Sequence, residues 1–336
     1  MSYSNFKDPI GLFKRMLLSG NKIAHFVLVR ELVGLCMRPI DVILRGYHRR
    51  LQKKAGNSSK PIILVLGGSR CGTTLLYQVL AEYLPVSYIT NFHAAFPRSS
   101  LAALKLFRPF FAKYISDYKS YYGSVSGFNG PSDAFSIWNQ WLGEDRNHFG
   151  EELDGEVKTN MQQFFHGWRD ISGKPFLNKN NRNSLCAPIL ASIFENVFFV
   201  EIHRNPIYVA QSLIHSRREV QGSEKIGWGL LSTETSDQNH PLGYIEDICN
   251  QVHRVDSVLA EGRAKVDPNR YFRVSYEYFC ENPQEVVQHI ASKALSIQVS
   301  SDKLNKLRFS TSANQQRLGD REFNKIRATI GGLYGD

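Results

Sequence analysis

The chain has 336 residues, with 41 Lys plus Arg against 31 Asp plus Glu, a formal net charge of +10 and 42% hydrophobic residues. This is globular composition; it excludes a disordered chain, and no apolar run approaches the ~18 residues that a membrane-spanning helix needs. The positive excess favours a polyanionic partner, and nucleic acid, an anionic membrane and a multiply phosphorylated cofactor all satisfy it.

The length suits one large α/β domain with appendages, or two domains. The N-terminus has no charged start, apolar middle and small-residue cleavage site, so a secretory signal is not expected. Cys36, Cys71, Cys186, Cys249 and Cys280 are odd in number and scattered, with no CxxC pair. That pattern argues against a disulfide framework or a zinc knuckle and fits a reducing cytoplasm, where the sequon Asn57-Ser58-Ser59 stays unglycosylated.

Residues 10–54 read as amphipathic helix, with apolar residues recurring at Leu28, Leu32, Leu35 and at Ile40, Ile43, Leu44. A basic cluster follows at Arg45, His48, Arg49, Arg50, Lys53 and Lys54. Two readings stand for this segment: a surface helix beside the main domain, and an interfacial helix on anionic lipid. A short polar linker, Ala55 to Ser59, closes it, giving a helical, basic extension over residues 1–58 ahead of one domain over 59–336.

Pro61-Ile62-Ile63-Leu64-Val65-Leu66 is a continuous branched apolar run, the pattern of a strand buried on both faces. It ends in Gly67-Gly68-Ser69-Arg70-Cys71-Gly72-Thr73-Thr74, after which Leu75, Leu76, Val79 and Leu80 fall at helical spacing. Strand, glycine-rich turn and helix with G-x-x-x-x-G spacing make a phosphate loop, whose backbone N–H groups and helix start bind anions. A nucleotide triphosphatase needs Lys directly after the second glycine, but here Thr73 stands in that place and Arg70 is the only cation in the loop. Arg grips phosphate with a planar fork, so the loop suits a phosphate that is held rather than a metal-bridged triphosphate.

Residues 95–175 are aromatic-rich and poorly periodic, and read as helices and long loops inserted above the sheet. Trp138 with Trp141 and Phe164 with Phe165 are candidates either for core or for an acceptor pocket. A second strand and helix begin at Val197–Ile202; His203-Arg204-Asn205 ends the strand and Pro206 suits the first helical turn. Arg204 at the strand end and Ser212, eight residues on, can then meet one phosphate. A further strand is expected at Tyr271–Val274, and a helix at about 283–294. Strands alternating with helices predict α/β architecture: a P-loop-like, mostly parallel sheet flanked by helices.

At this point the sequence resembles the PAPS-dependent sulfotransferases, nearer their bacterial and tyrosylprotein-sulfotransferase-like branches, over about residues 60–330. Gly68-Ser69-Arg70-Cys71-Gly72-Thr73-Thr74-Leu75 is similar to the family's 5′-phosphosulfate loop. Arg204-Asn205-Pro206 with Ser212 is similar to its 3′-phosphate motif, and Tyr276 to Pro283 to its downstream Tyr-Glu…Asn-Pro segment. Lys179 in Phe176-Leu177-Asn178-Lys179 resembles the strand-end Lys that faces the donor, and Arg317-Leu318-Gly319 faintly resembles the closing loop, although Asn314-Gln315-Gln316 replaces the usual Arg-Lys-Gly.

The resemblance implies transfer of a sulfuryl group from 3′-phosphoadenylyl sulfate (PAPS), the co-substrate, to an acceptor hydroxyl or amine, with release of 3′,5′-ADP and with no metal. The implied donor contacts are Ser69, Arg70, Cys71, Gly72, Thr73, Thr74, Lys179, Arg204, Ser212, Tyr276 and Arg317. Arg70 would stabilise the leaving oxygen. Tyrosylprotein-type relatives carry a Glu about twenty residues after the loop, but Tyr88 to Ala94 contains none. His93 is the nearest group titrating around neutrality and Asp133 the next candidate base. The acceptor, whether sugar, lipid, small alcohol or peptide, is not legible. Two alternatives remain, a non-catalytic nucleotide- or polyanion-binding protein on the same fold and a P-loop kinase. No nucleic-acid module is recognisable.

Overall fold

The computed structural model describes residues 6–107, 114–147, 152–233, 240–309 and 314–335. The N-terminal segment forms α1 (Pro9–Leu18) and α2 (Lys22–Lys53), so the helix expected over 10–54 is broken once. The break has a local cause: Gly20 is left-handed at φ +62° and the Asn21 side chain caps α2 by accepting from the Ile23 N–H at 2.9 Å. The rest of the chain runs β1 (Ile62–Leu66), α3 (Thr73–Tyr83), α4 (Ser100–Phe107), α5 (Phe135–Leu142), α6 (Gly155–Ser172), β2 (Phe176–Lys179), α7 (Ala187–Ile193) and β3 (Val197–His203). It continues with α8 (Pro206–Gln221), α9 (Gly243–Ala264), β4 (Tyr271–Ser275), α10 (Tyr276–Glu281), α11 (Pro283–Leu295), α12 (Ser301–Leu304) and α13 (Asp320–Tyr334).

The four strands form one sheet in the order β2-β1-β3-β4, parallel throughout. Every residue of β1 is buried, as its uniformly apolar sequence demands of a central strand. The two-residue pleat sorts its side chains. Ile62, Leu64 and Leu66 pack with α5, α6 and α7, whereas Ile63 and Val65 pack with α3 and α11. A third apolar cluster, from α8, α9 and α13, includes Cys71 and underlies the loop that follows β1.

Trp138, Phe164, Phe165 and Trp168 are at most 1% exposed and fill the first cluster. Trp138 and Phe165 stack at 5.2 Å, and Phe165 meets Phe176 of β2 at 4.9 Å. These aromatics are core, and do not line a pocket. The chain leaves β1 toward β2 on one side and later lays β3 on the other. The carboxyl end of β1 is therefore the topological switch point, where open α/β sheets leave a crevice for ligands.

Candidate functional site

The loop after β1 is bent by residues whose backbone only glycine tolerates. Gly67, at φ +147°, passes so close to β3 that an added Cβ would lie 2.5 Å from the Ile202 carbonyl. Its N–H donates to Ser184 Oγ at 2.8 Å. Gly72, at φ +95°, is the left-handed residue preceding α3, and a Cβ there would meet Tyr276 Cδ2 at 2.4 Å. Arg70 is also left-handed, at φ +72°, uncommon for a residue with a side chain. The turn leads into α3, whose first N–H groups have no acceptor within the helix.

Three guanidinium groups converge here from distant parts of the chain. Arg70 Nε donates to Ser212 Oγ at 2.9 Å. Arg204 Nη1 donates to the Arg70 carbonyl at 3.2 Å, while its Nε donates to Asn314 Oδ1 at 2.8 Å. The Arg204 guanidinium lies 4.6 Å from the centre of the Tyr276 ring, the same ring that closes against Gly72. The buried Gln211 accepts from the Arg317 N–H at 2.7 Å and donates to the Gln315 carbonyl, so α8 carries both Ser212 and the strap 315–317. Burial holds the Arg70 pKa below its ordinary value; the nearby Tyr122 opposes that, and the like charges of Arg204 and Arg317 add to it. Among the described residues no carboxylate pairs with Arg70. A buried guanidinium with no carboxylate on it, set beside two further cations, is the electrostatic signature of an anion site.

A second group of contacts lies beside Thr73 and Thr74. Lys179 is opposite Val65 in the sheet register, so it stands at the carboxyl end of β2. Its Nζ donates to both Asp133 oxygens at 2.9 and 2.8 Å. The Lys179 side chain is 3% exposed and that of Asp133 20%. Thr73 Oγ1 meets Asn181 Oδ1 at 3.4 Å. A methyl group built on Gly123, left-handed at φ +94°, would stand 3.9 Å from both Lys179 Nζ and Thr74 Oγ1, so the turn at Gly123 crosses over them. The preceding residue, Tyr122, lies with its ring 5.3 Å from the Arg70 guanidinium and 6.2 Å from the Trp228 ring. Burial pushes the Tyr122 hydroxyl up to about 12, so it remains a neutral phenol at physiological pH.

The structure thus gathers Arg70, Gly72, Thr73, Thr74, Lys179, Asp133, Arg204, Ser212, Tyr276 and Arg317 around one carboxyl edge of the sheet. It does not gather His93. That ring is 4% exposed, its Nδ1 is 2.9 Å from Thr90 Oγ1, and it packs edge-on against Trp168 at 5.4 Å. Trp168 in turn packs on Phe176 at the amino end of β2, the opposite end from Lys179. Burial lowers the His93 pKa to about 4. Two loop side chains also face away from an incoming anion. The Cys71 thiol is buried in the α8–α9–α13 cluster, where burial raises its pKa to about 12. Ser69 Oγ is turned toward the Leu230 N–H, at 3.4 Å. Their contribution to a ligand would come from the backbone. The glycine-rich loop and the Arg204–Ser212 segment, far apart in the chain, are joined through the Arg70–Ser212 bond. Sequence reasoning missed Asn314, Gln211, Tyr122 and Gly123, for which no spacing rule exists because their partners lie far away in the chain.

A family model described as the sulfotransferase family matches residues 61–295. No curated protein matches the chain. Among solved structures, the chain is similar to sulfotransferase STF9 from Mycobacterium avium, at 15% identity and a TM-score of 0.55, over 86% of this chain and 80% of that one. It is also similar to sulfotransferase STF1 from Mycobacterium tuberculosis H37Rv, at 15% identity and a TM-score of 0.46, over 89% and 86% of the two chains.

Proposed function

The chain belongs to the sulfotransferase family, and from that premise we propose that it moves a sulfuryl group from PAPS to an acceptor hydroxyl or amine. The observation that carries this reading is the convergence of Arg70, Arg204 and Arg317 on the Gly67–Thr74 turn without a balancing carboxylate on Arg70. PAPS has two anionic ends, a 5′-phosphosulfate and a 3′-phosphate. The turn, with Thr73, Thr74 and the start of α3, takes the first; Arg204 and Ser212 take the second. Arg70 lies between them.

In the reaction the acceptor oxygen or nitrogen forms a bond to sulfur as the bond from sulfur to the 5′-phosphate oxygen breaks, and 3′,5′-ADP departs with that electron pair. Arg70 and the first N–H groups of α3 meet the charge that grows on the leaving phosphate. Asp133 takes the acceptor proton. It is favoured over His93 by position, since it stands with Lys179 beside Thr74 whereas His93 is enclosed in aromatic core. Lys179 holds the Asp133 carboxylate in place and can share its charge with the sulfuryl oxygens.

Calorimetry with 3′,5′-ADP and 5′-AMP tests the double clamp, and transfer of radiolabelled sulfate from PAPS to a panel of alcohols, sugars and phenols tests turnover. The expected result is a preference for the bisphosphate of at least about 100-fold, two charge-assisted hydrogen bonds at ~1.5 kcal/mol or more each. Equal affinity for the two nucleotides would remove the 3′-phosphate site. Selective binding with no transfer to any acceptor class would leave the non-catalytic alternative.

A further inference from the structure

The N-terminal helices present an apolar face that the fold itself does not use. In α2 the inner side is fixed: Asp41, 2% exposed, accepts from the Arg98 N–H at 3.1 Å and the Ser99 hydroxyl at 2.7 Å, and His48 Nδ1 accepts from the Leu101 N–H at 3.1 Å. These bonds hold α2 against the start of α4. Leu32 lies nine residues before Asp41, two and a half helical turns, and so faces the other way. Leu32 is 62% exposed and Ile43, on the same stripe eleven residues further, 77%. Val29, Leu35 and Ile40 extend the stripe, and Phe13, Leu17 and Leu18 of α1 are likewise exposed. Exposed apolar residues repeated along one face of a helix mark an interaction site.

The charges beside it identify the partner. Arg38, Arg45, Arg49, Arg50, Lys53 and Lys54 are all exposed. Between residues 22 and 54 the acids are Asp41, which is buried, and Glu31, which is 2.8 Å from Arg30. A second copy of the chain docked face to face would set these cations against themselves, in a protein already at +10. An anionic bilayer reverses that balance: its acyl boundary accepts the leucine and isoleucine stripe and its headgroups accept the arginines and lysines. We propose that the outer face of α1 and α2 is a docking surface for an anionic lipid membrane, on which the protein lies without crossing it. Among the described residues no helix is long and apolar enough to span.

On its inner side α2 meets Asn91 and, through it, the segment 125–128. Arg30 donates to Asn91 Oδ1 at 3.3 Å, and Asn91 Nδ2 donates to the Val125 and Gly127 carbonyls at 2.9 and 2.8 Å. Phe26 packs edge-on against Phe128 at 5.4 Å. The docking surface is independent of the chemistry proposed above, and its test reads lipid binding rather than transfer.

The full chain is sedimented with vesicles of neutral phosphatidylcholine and of phosphatidylcholine containing about 30 mol% phosphatidylglycerol, at low and high salt. Expected is binding to the anionic vesicles that weakens with salt. Leu32→Glu with Ile43→Glu, and separately Arg45→Glu with Arg49→Glu, should each lower partitioning at least about tenfold. Both pairs are exposed, so circular dichroism and the thermal midpoint should match the parent. Failure to sediment with anionic vesicles overturns the proposal. So does binding that both variants leave unchanged, since another surface would then be responsible. A dimer in analytical ultracentrifugation that L32E/I43E dissociates would also overturn it and assign the face to a second copy.

Discussion

Replacing Gly72 by Ala strikes the point where the phosphate loop, the start of α3 and the Tyr276 ring meet. The backbone there is left-handed, at φ +95°, and a side-chain-bearing residue in that region costs roughly 1–2 kcal/mol. The added methyl group would stand 2.4 Å from Tyr276 Cδ2 and 2.9 Å from Cε2. The ring, 8% exposed, has to shift, and overpacking of this kind costs about 1–3 kcal/mol. The sum is about 2–5 kcal/mol. Urea unfolding measures it as a lower midpoint at unchanged slope. A double-mutant cycle with Tyr276→Ala separates the two parts. Removing the ring relieves the clash and leaves the backbone strain, so the pair should couple by about 1–3 kcal/mol. Because the same ring faces Arg204 at 4.6 Å, 3′,5′-ADP affinity should fall in G72A as well. A G72A protein within about 0.5 kcal/mol of the parent, or strictly additive single changes, would refute the contact on which the reasoning rests.

Arg204→Ala should weaken 3′,5′-ADP about 100-fold while leaving 5′-AMP within about threefold; calorimetry showing equal losses would make Arg204 a structural residue only. Asp133→Asn should lower the turnover number by about 10²–10⁴ with 3′,5′-ADP affinity retained; affinity and turnover falling together would instead make the Lys179–Asp133 pair a support of the fold. His48 and His93 are buried and lowered from 6.5 to about 4. Both are neutral in the folded protein at pH 5, where the unfolded chain has gained protons, so stability should fall as pH drops from about 6.5 to 4. The loss is on the order of 3 kcal/mol for each ring, and chemical denaturation at pH 7, 5.5 and 4.5 measures it. A thiol reagent at pH 8 should label the exposed Cys36 in the native protein and spare Cys71, whose buried thiol is raised to about 12. Rapid labelling of Cys71, read by peptide mass, would show that the loop opens.

The sequence alone determined the central strand and the loop that follows it. Ile62–Leu66 could only be a strand buried on both sides, because five consecutive apolar residues leave no face for water, and Gly67 and Gly72 stand where the chain must take conformations closed to other residues. It also determined that Arg204 and Ser212 share one end of a strand–helix unit, since strand end, Pro206 and helical rise follow from local rules. Tertiary structure decided what those residues meet. The local pattern put His93 first and Asp133 next as titratable groups near the loop, and only packing showed their surroundings: His93 went into the aromatic core beside Trp168, while Asp133 was drawn to Lys179. Packing likewise turned Trp138 and Phe165 inward, joined Arg70 to Ser212, and brought Tyr122, Gly123 and Asn314 to the loop. Propensity and periodicity act over a few residues, whereas these contacts close long loops of chain. Their partners are selected by the burial of whole faces, which a linear pattern does not encode.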